Sequence, residues 1–175
     1  MSSHLLEMAP TGRAMCRGCG GKIAAGSLRF GERIPNPYDE GGGDMTRWFH
    51  PACAAFKRPE PFVEMLPTAE PFEDRERLEH EAKLGVEHRR LPRASTAERA
   101  STGRAVCRQC KQPIAKGEWR ISLVFYEDGR FSPSGYLHPA CASAYFETTA
   151  IMPRIRHFSP SLTEADLAEI EAAVR

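Results

Sequence analysis

The sequence predicts two small α+β domains in tandem, each a short antiparallel sheet with short helices. A frame of four residues occurs twice: a Cys-x2-Cys pair, a gap of 30 or 27 residues, and a His-Pro-Ala-Cys segment. The residues around each frame repeat as well, so that Thr-Gly-Arg-Ala stands just before the first cysteine of both, 91 positions apart. This spacing indicates a duplicated domain, because the repeats of solenoid proteins are only about 20–50 residues long.

The two frames contain all six cysteines of the chain. Three thiolates and one imidazole are the donors of a closed, tetrahedral structural zinc site, and the short spacings let each pair bind one ion from a single turn. A domain of about fifty residues buries little apolar surface, so a metal ion commonly supplements its core. The sequence therefore predicts two zinc ions per chain. The predicted ligands are Cys16, Cys19, His50 and Cys53 in the first domain, and Cys107, Cys110, His138 and Cys141 in the second.

Two other uses of the cysteines remain as alternatives. Six cysteines could form three disulfides in a secreted protein, or a Cys-x-x-Cys pair could carry out redox chemistry. Neither use explains the His-Pro-Ala-Cys partners, and the start Met-Ser-Ser-His-Leu-Leu-Glu lacks the basic and apolar regions of a signal peptide. We therefore expect an intracellular protein without a membrane-spanning segment, located in the cytoplasm or nucleoid if it is bacterial and in the nucleus if it is eukaryotic.

A hairpin is predicted between the two ligand pairs of each domain. The segments 28–34 and 119–125 alternate between apolar and polar residues, as a half-buried strand does. A glycine-rich turn at 40–44 and an Asp-Gly turn at 127–129 follow them, and the chain then returns to the His-Pro-Ala-Cys segment. Short helices are expected directly after that segment.

The remaining segments are predicted from composition. The stretch 72–90 is highly charged and is a helical candidate, whereas 91–101 is predicted to be a flexible joint. A helix is predicted near the C-terminus, with Ser161 as N-cap and Glu164 completing a capping box. The predicted domains are a disordered leader at 1–10, the first zinc domain at 11–66, a charged and partly helical linker at 67–101, the second zinc domain at 102–158 and the C-terminal helix at 159–175.

The distribution of charge favours a nucleic-acid partner, although the net charge of the whole chain is only +1. Residues 11–58 carry 8 basic against 4 acidic side chains, and residues 103–147 carry 6 against 4. Residues 59–102 carry 7 basic against 10 acidic side chains. Positive charge is therefore concentrated on the two zinc domains, although each site with three thiolates adds about one negative charge locally.

The repeated motif resembles a known zinc-finger family. Gly-Arg-Ala-x-Cys-x2-Cys, the following strand with its arginine, and His-x2-Cys about thirty residues later are similar to the zinc finger of poly(ADP-ribose) polymerases, which also occurs in some eukaryotic DNA ligases. The resemblance covers 12–58 and 103–147, and residues 158–166 are similar to the segment that closes such fingers. It implies binding to DNA nicks, gaps and ends without sequence preference. We also expect a monomeric chain, with repair proteins as further partners.

Candidate DNA contacts follow from the arginines and from this resemblance. Arg13 and Arg104 stand three residues before the first ligand of each domain, where a guanidinium could bind a phosphate bidentately. Arg29 and Arg120 on the first strand of each hairpin could bind the same backbone. The resemblance implies that two apolar residues of each hairpin loop stack on the base pair exposed at a break. The matching candidates are Tyr38 (or its neighbour Pro37) and Met45 in the first domain, and Phe125 and Phe131, with Tyr126 beside them, in the second.

Each of these residues also has a purely structural interpretation. The strand arginines could be solvated surface charges, and Phe125 could belong to the core of a small domain. No catalytic constellation is visible, and a metal with four protein ligands has no position left for an activated water. We therefore expect a non-enzymatic protein that binds DNA breaks in repair or damage sensing. The alternative is an adaptor for other proteins, in which the zinc domains act as scaffolds.

Overall fold

The chain forms two compact units in the computed structural model, Met1–Glu87 and His88–Arg175. We call them module 1 and module 2. The structure describes residues 2–175, so Met1 of the predicted leader lies outside the described residues. Each described module contains one three-stranded sheet and three α-helices in the same order along the chain. The small α+β class predicted from the sequence is therefore confirmed.

Module 1 places a three-stranded antiparallel sheet before its helices. The sheet order is β1-β2-β3, so that the long strand β2 pairs with both neighbours. The elements are β1 (Leu5–Met8), β2 (Leu28–Pro35), β3 (Asp44–Phe49), α1 (Pro51–Lys57), α2 (Pro59–Met65), a 3-10 turn (Leu66–Thr68) and α3 (Arg75–Glu87).

Module 2 repeats this order with longer hairpin strands and a shorter turn between them. Its sheet order is β4-β5-β6, again antiparallel, with β5 in the centre. The elements are a 3-10 turn (Leu91–Arg93), β4 (Ala94–Arg99), β5 (Trp119–Glu127), β6 (Arg130–Leu137), a second 3-10 turn (Pro139–Cys141), α4 (Ala142–Phe146), α5 (Met152–Phe158) and α6 (Glu164–Ala173).

The structure corrects two of the boundaries predicted from the sequence. Residues 5–8 of the predicted disordered leader form β1, which pairs with β2 from Leu5 opposite Gly31 to Met8 opposite Leu28. Residues 94–99 of the predicted flexible joint form β4, which pairs with β5 in the same way. Both are short edge strands, and their sequences Leu-Leu-Glu-Met and Ala-Ser-Thr-Ala-Glu-Arg show little strand signal by themselves. Pairing with a long central strand decides their conformation.

The predicted linker at 67–101 is divided between the two modules. The helix expected within it is confirmed as α3, which packs against α1 and α2 of module 1 through Leu78 and Ala82. Its counterpart in module 2 is α6, the predicted C-terminal helix, which buries Leu167 and Ile170. The two helices therefore close equivalent domains, whereas their sequences suggested a linker and a tail.

The N-cap of α6 differs from the predicted one. Thr163 caps the helix by accepting a hydrogen bond from the backbone N–H of Asp166, and the Asp166 carboxylate accepts one from the Thr163 N–H. Glu164, the predicted member of the capping box, instead forms an ion pair with Arg156 of α5. The capping box is therefore present, but it begins two residues later than Ser161.

The core of each module lies between the sheet and the helices. In module 1 the ring of Phe30 lies 6.2 Å from that of Phe49 and 5.6 Å from that of Phe62, measured between centroids. Module 2 has aliphatic side chains in this layer, among them Ile121 and Leu123. None of the helices within residues 2–175 is long and apolar enough to cross a membrane.

Candidate metal centres

Each predicted ligand set is brought together by its module. The donor atoms of Cys16, Cys19, His50 and Cys53 all lie within 4.8 Å of one another, and those of Cys107, Cys110, His138 and Cys141 do so as well. A tetrahedral zinc ion with the usual bond lengths would separate its donors by about 3.5–3.8 Å. In the first cluster the Nδ1 atom of His50 lies 3.4 Å from the Cys19 sulfur and 3.8 Å from the Cys53 sulfur. Both donor sets therefore fit zinc.

The histidine of each cluster is oriented by a backbone carbonyl. The Nε2 atom of His50 lies 3.1 Å from the carbonyl oxygen of Lys22, and that of His138 lies 3.2 Å from the carbonyl oxygen of Pro113. A hydrogen bond donated by Nε2–H places the free lone pair on Nδ1, the nitrogen that faces the cysteines. The same tautomer and the same ring nitrogen therefore serve both metals.

Backbone amides stabilise the first thiolate of each set. The N–H groups of Gly18 and His50 donate to the Cys16 sulfur at 3.3 Å. The neighbouring thiol of Cys53 lowers the pKa of Cys16 most, and with these amides it brings the value to about 4. Because one thiolate already occupies the cluster, the pKa of Cys53 is raised. Zinc binding must therefore displace protons from the remaining thiols.

In module 2 the first cysteine is less strongly acidified. Burial raises the pKa of Cys107, but hydrogen bonds from the backbone N–H groups of Cys110, His138 and Gln109 outweigh it and lower the value to about 6. The His138 N–H lies 3.4 Å from the Cys107 sulfur. The first cysteine of each cluster thus accepts hydrogen bonds from equivalent backbone N–H groups. Its pKa is lowered further in module 1 than in module 2.

Sequence reasoning missed a lysine that supports the first cluster. Lys57, at the end of α1, is only 4% exposed, and its ammonium group donates to the carbonyl of Gly18 at 3.0 Å. Burial lowers the pKa of Lys57 to about 8. A lysine in the sequence looks like a surface residue, so only its position near the cluster reveals this contact.

Arg29 and Arg120 each contact a glutamate and an aromatic ring, and we call this arrangement the glutamate–arginine–aromatic sandwich. Arg29 donates to Glu7 at 2.6 Å, and its guanidinium carbon lies 3.5 Å from the ring centroid of Trp48. In module 2, Arg120 donates to Glu98 at 2.7 Å and lies 3.8 Å from the ring of Tyr136. Both arginines are only 8% exposed. Neither is the solvated surface charge of the structural interpretation.

Arg13 and Arg104 are exposed. The backbone N–H of each donates to the threonine hydroxyl two residues earlier, at 3.4 Å in both modules. No ion pair involves either side chain within residues 2–175. Each guanidinium therefore projects from the same local turn with its charge uncompensated.

The apolar residues predicted to stack on DNA do not form matching pairs. Tyr126 and Phe131 lie opposite each other in the hairpin of module 2, with ring centroids 4.8 Å apart, on the face that carries Arg120. Phe125 points to the opposite face, because side chains alternate along a strand. In module 1, Met45 lies opposite Ile34 on the face of the core residue Phe30. Tyr38, in the loop before β3, is 80% exposed.

Comparison with known proteins identifies the motif. Residues 7–89 match the family described as the poly(ADP-ribose) polymerase and DNA-ligase Zn-finger region. Module 1 is a PARP-type zinc finger. Module 2 repeats its ligand set and its order of elements, so the chain carries two zinc fingers of the same design and binds two zinc ions.

Relatives of this chain include much longer proteins. Poly [ADP-ribose] polymerase 1 of Gallus gallus is 29% identical over 77% of this chain and 15% of its own length. The poly [ADP-ribose] polymerase of Sarcophaga peregrina is 28% identical over 70% of this chain and 14% of its own. The polynucleotide 3'-phosphatase ZDP of Arabidopsis thaliana is 27% identical over 94% of this chain and 27% of its own. The chain thus spans about a quarter or less of each of these relatives.

Proposed function

We propose that this protein recognises DNA strand breaks without catalysing a reaction, and that it acts in DNA repair or damage sensing. The observation that carries the proposal is the repeated exposed arginine, Arg13 and Arg104, which the same turn presents beside both zinc clusters. The match to PARP-type fingers supports DNA as the partner. Nicks, gaps and ends are the proposed targets, without preference for base sequence.

Arg13 and Arg104 are the proposed phosphate contacts. A guanidinium can donate two parallel hydrogen bonds to a phosphate, and an uncompensated charge loses little on binding because no internal partner must be released. The zinc-bound turn fixes the backbone of each arginine, which lowers the entropy lost on binding. Contacts of this kind supply affinity and orientation but no sequence information.

Arg29 and Arg120 have a weaker proposed role at the phosphate backbone. Each guanidinium already shares its charge with a glutamate, and an aromatic ring covers one of its faces. The glutamates Glu7 and Glu98 have side chains that are 42% and 49% exposed, so the pairs lie at the surface. We assign these arginines to shaping the face of the sheet and to a secondary phosphate contact.

The stacking surface of module 2 is assigned to Phe131 with Tyr126. These rings share the face of Arg120 and lie next to the Asp128–Gly129 turn, at the end of the hairpin. A break differs from intact duplex because it exposes the face of a terminal base pair, and stacking on an aromatic ring is worth about 1–3 kcal/mol per base. In module 1 the corresponding role falls to Tyr38, which is the most exposed aromatic candidate there.

Charge favours module 2 as the stronger binder. Module 1 contains 11 basic and 14 acidic side chains, whereas module 2 contains 13 and 9. Contacts to phosphates supply much of the affinity of a protein for DNA and make that affinity depend on salt. The basic module should therefore contribute the larger share of the affinity. The acidic balance of module 1 is the observation that favours the alternative function, an adaptor that binds other proteins.

A closed DNA dumbbell tests the proposal, because it has no ends. The dissociation constants for a sealed dumbbell and for the same dumbbell with one nick are measured by fluorescence anisotropy over a salt series. We expect tighter binding to the nicked form, with an affinity that falls steeply as salt rises. Equal affinity for the two forms would contradict break recognition, and the absence of binding to either would leave the adaptor function.

A further inference from the structure

Four side chains of module 2 contact one another in a row. They do not include Phe131, Tyr126 or Arg104, which form the proposed break-recognition surface of this module. The guanidinium carbon of Arg90 lies 5.1 Å from the ring centroid of Tyr145, and that of Arg93 lies 5.1 Å from the ring of Phe125. Tyr145 joins the two arginines, because its hydroxyl accepts from Arg93 at 3.1 Å and its carbonyl accepts from Arg90 at 3.4 Å. We call these four residues the arginine–aromatic ladder.

The arginines of the ladder keep their positive charge uncompensated. Their hydrogen bonds go to neutral oxygens, and neither belongs to an ion pair of the part of the chain that the structure describes. Arg89, the next residue along the chain, is exposed as well. Several other arginines of the protein do pair with carboxylates, namely Arg29, Arg33, Arg58, Arg77, Arg99, Arg120 and Arg156. Oriented guanidinium groups without a carboxylate are suited to bind an anion.

Phe125 of the ladder adjoins the proposed stacking surface of Tyr126 and Phe131. Phe125 is 41% exposed and directly precedes Tyr126 on β5, but it lies on the other face of the hairpin from Phe131. A DNA strand that leaves the base pair stacked on Phe131 therefore reaches Phe125 by passing the end of one hairpin. From Phe125 the ladder continues through Arg93 and Tyr145 to Arg90.

Among residues 2–87, module 1 has no counterpart of the ladder. The repeat of 91 positions places Ile34 where module 2 has Phe125, and Ser2 where it has Arg93. The zinc ligands and the glutamate–arginine–aromatic sandwiches are shared by the two modules, so the ladder is not part of the common framework of the fold. It is an addition to module 2.

We propose that the arginine–aromatic ladder binds a single-stranded DNA arm that leaves the break, such as a flap, an overhang or the unpaired strand of a gap. Arg90 and Arg93 contact its phosphates, and the exposed face of Phe125 stacks on a base. Positive side chains that follow the backbone, interleaved with aromatic rings, are the means by which proteins bind single strands without sequence preference. The proposal rests on break recognition by the proposed surface, and it names the class of break that module 2 prefers.

The test compares the nicked dumbbell with the same dumbbell carrying an arm of about ten thymidines at the nick, a length within the site sizes of single-strand binders. For the wild-type chain we expect the arm to tighten binding by about tenfold. The double variant R90Q/R93Q should lose this gain and keep its affinity for the nick without an arm. The variant R156Q is the matched control, since Arg156 is an exposed arginine of the same module with a carboxylate partner.

The outcomes separate the ladder from the break-recognition surface. The ladder proposal is overturned if the arm adds nothing for the wild type, or if R156Q loses the gain as fully as R90Q/R93Q. Should R90Q/R93Q fold poorly, as judged by zinc content and circular dichroism, the exposed single variant R90Q decides, and an undiminished gain in R90Q overturns the proposal. If the nick itself is not preferred over sealed DNA while an isolated thymidine strand binds and R90Q/R93Q abolishes that binding, break recognition fails and the ladder stands.

Discussion

The two modules share one fold but differ at a buried position of the sheet. In module 1, Glu32 is 2% exposed and forms an ion pair with Arg58, whose Nη2 lies 2.5 Å from its carboxylate. The repeat places Leu123 at the position of Glu32, and Leu123 is fully packed in the core of module 2. Replacing a buried ion pair by apolar side chains is often neutral or stabilising, whereas removal of one partner is costly. The fold therefore accepts either an ion pair with both partners or an apolar side chain at this position of the sheet.

The turns that hold the first two cysteines differ as well. Module 1 uses Gly18, where a Cβ atom would lie 2.7 Å from the Cβ of Cys53. Module 2 has Gln109 at that position, and Lys111 adopts the left-handed conformation, at φ 64°, that Gly20 adopts in module 1. The approach between turn and helix is thus closest in module 1. The zinc ligands and the sandwiched arginines are what both modules keep.

Loss of a zinc ligand should have the largest effect, and it should be confined to one module. The substitution Cys53→Ala is expected to remove one zinc ion and unfold module 1, and Cys141→Ala should do the same to module 2, because zinc binding in small domains contributes about 10–16 kcal/mol. Zinc content and amide hydrogen exchange resolved by module are the measurements. Loss of both ions, or protection lost in both modules, from one substitution would show that the modules do not fold independently.

Removal of the buried carboxylate in module 1 should have the next largest effect. Glu32→Gln removes the buried carboxylate that Arg58 binds and should lower the free energy of unfolding by about 3 kcal/mol, because the Arg58 side chain is 22% exposed and keeps some access to water. Denaturant unfolding of the zinc-loaded protein measures this loss. The double substitution of Glu32 by Leu, the residue of module 2, and of Arg58 by Met removes both charges and should recover most of it. A double variant no better than Glu32→Gln would mean that module 1 requires the ion pair.

Removal of the exposed arginine should weaken DNA binding more in module 2 than in module 1. Arg104→Ala removes an uncompensated charge from the basic module and should weaken binding to all DNA by about 1.5–3 kcal/mol, with a salt slope lower by about one unit. Arg13→Ala should cost less, because module 1 is acidic overall. Titration of both variants at several salt concentrations measures the difference. A larger loss for Arg13→Ala would assign the main contact to module 1.

The stacking ring should affect break recognition and leave the salt slope unchanged. Phe131→Ala is expected to reduce the preference for nicked over sealed DNA by about 1–3 kcal/mol, since it removes an aromatic surface and no charge. Tyr38→Ala is the corresponding test in module 1, and we expect a smaller effect because module 1 is proposed to bind DNA more weakly. A change in salt slope for Phe131→Ala would mean that the ring positions a phosphate contact.

The smallest effect is expected at the cap of α6. Thr163→Ala should lower the free energy of unfolding of module 2 by about 1 kcal/mol, because the N–H of Asp166 loses its acceptor. Ser161→Ala, at the cap predicted from the sequence, should change it by only a few tenths. Thermal unfolding of both variants decides between the two caps, and equal effects would show that Thr163 does not act alone.

Local patterns in the sequence were sufficient for the metal centres. The ligands of each pair are separated by two residues, so a short turn brings them together whatever the rest of the domain does. The duplication extends the same inference from one cluster to the other. The hairpins were predicted for a similar reason, because alternation and turn residues act within a few positions. Both the clusters and the hairpins are present as expected.

The edge strands and the closing helices could not be assigned in this way. β1 pairs with residues 28–31, which lie 20 to 26 positions away, and its four residues show little strand signal of their own. α3 has a thin apolar stripe, so that its burial depends on the surfaces that α1 and α2 present. These elements acquire their structure from a partner that is distant in the chain. That is why the sequence suggested a leader, a linker and a joint where the fold has two complete modules.

The amino-acid sequence alone was sufficient to identify the eight ligands, the duplication and the exposed arginines of the repeated turn. Which charges remain uncompensated depends on the folded module. Arg29 and Arg120 acquire their glutamates only when an edge strand pairs beside them, and Arg90 and Arg93 meet their aromatic partners only across the folded module. Ligand spacing is a short-range property of the chain, whereas the partner of a charge is set by contacts between distant segments. For that reason the metal sites follow from the sequence, and the surface that we propose to bind DNA follows from the fold.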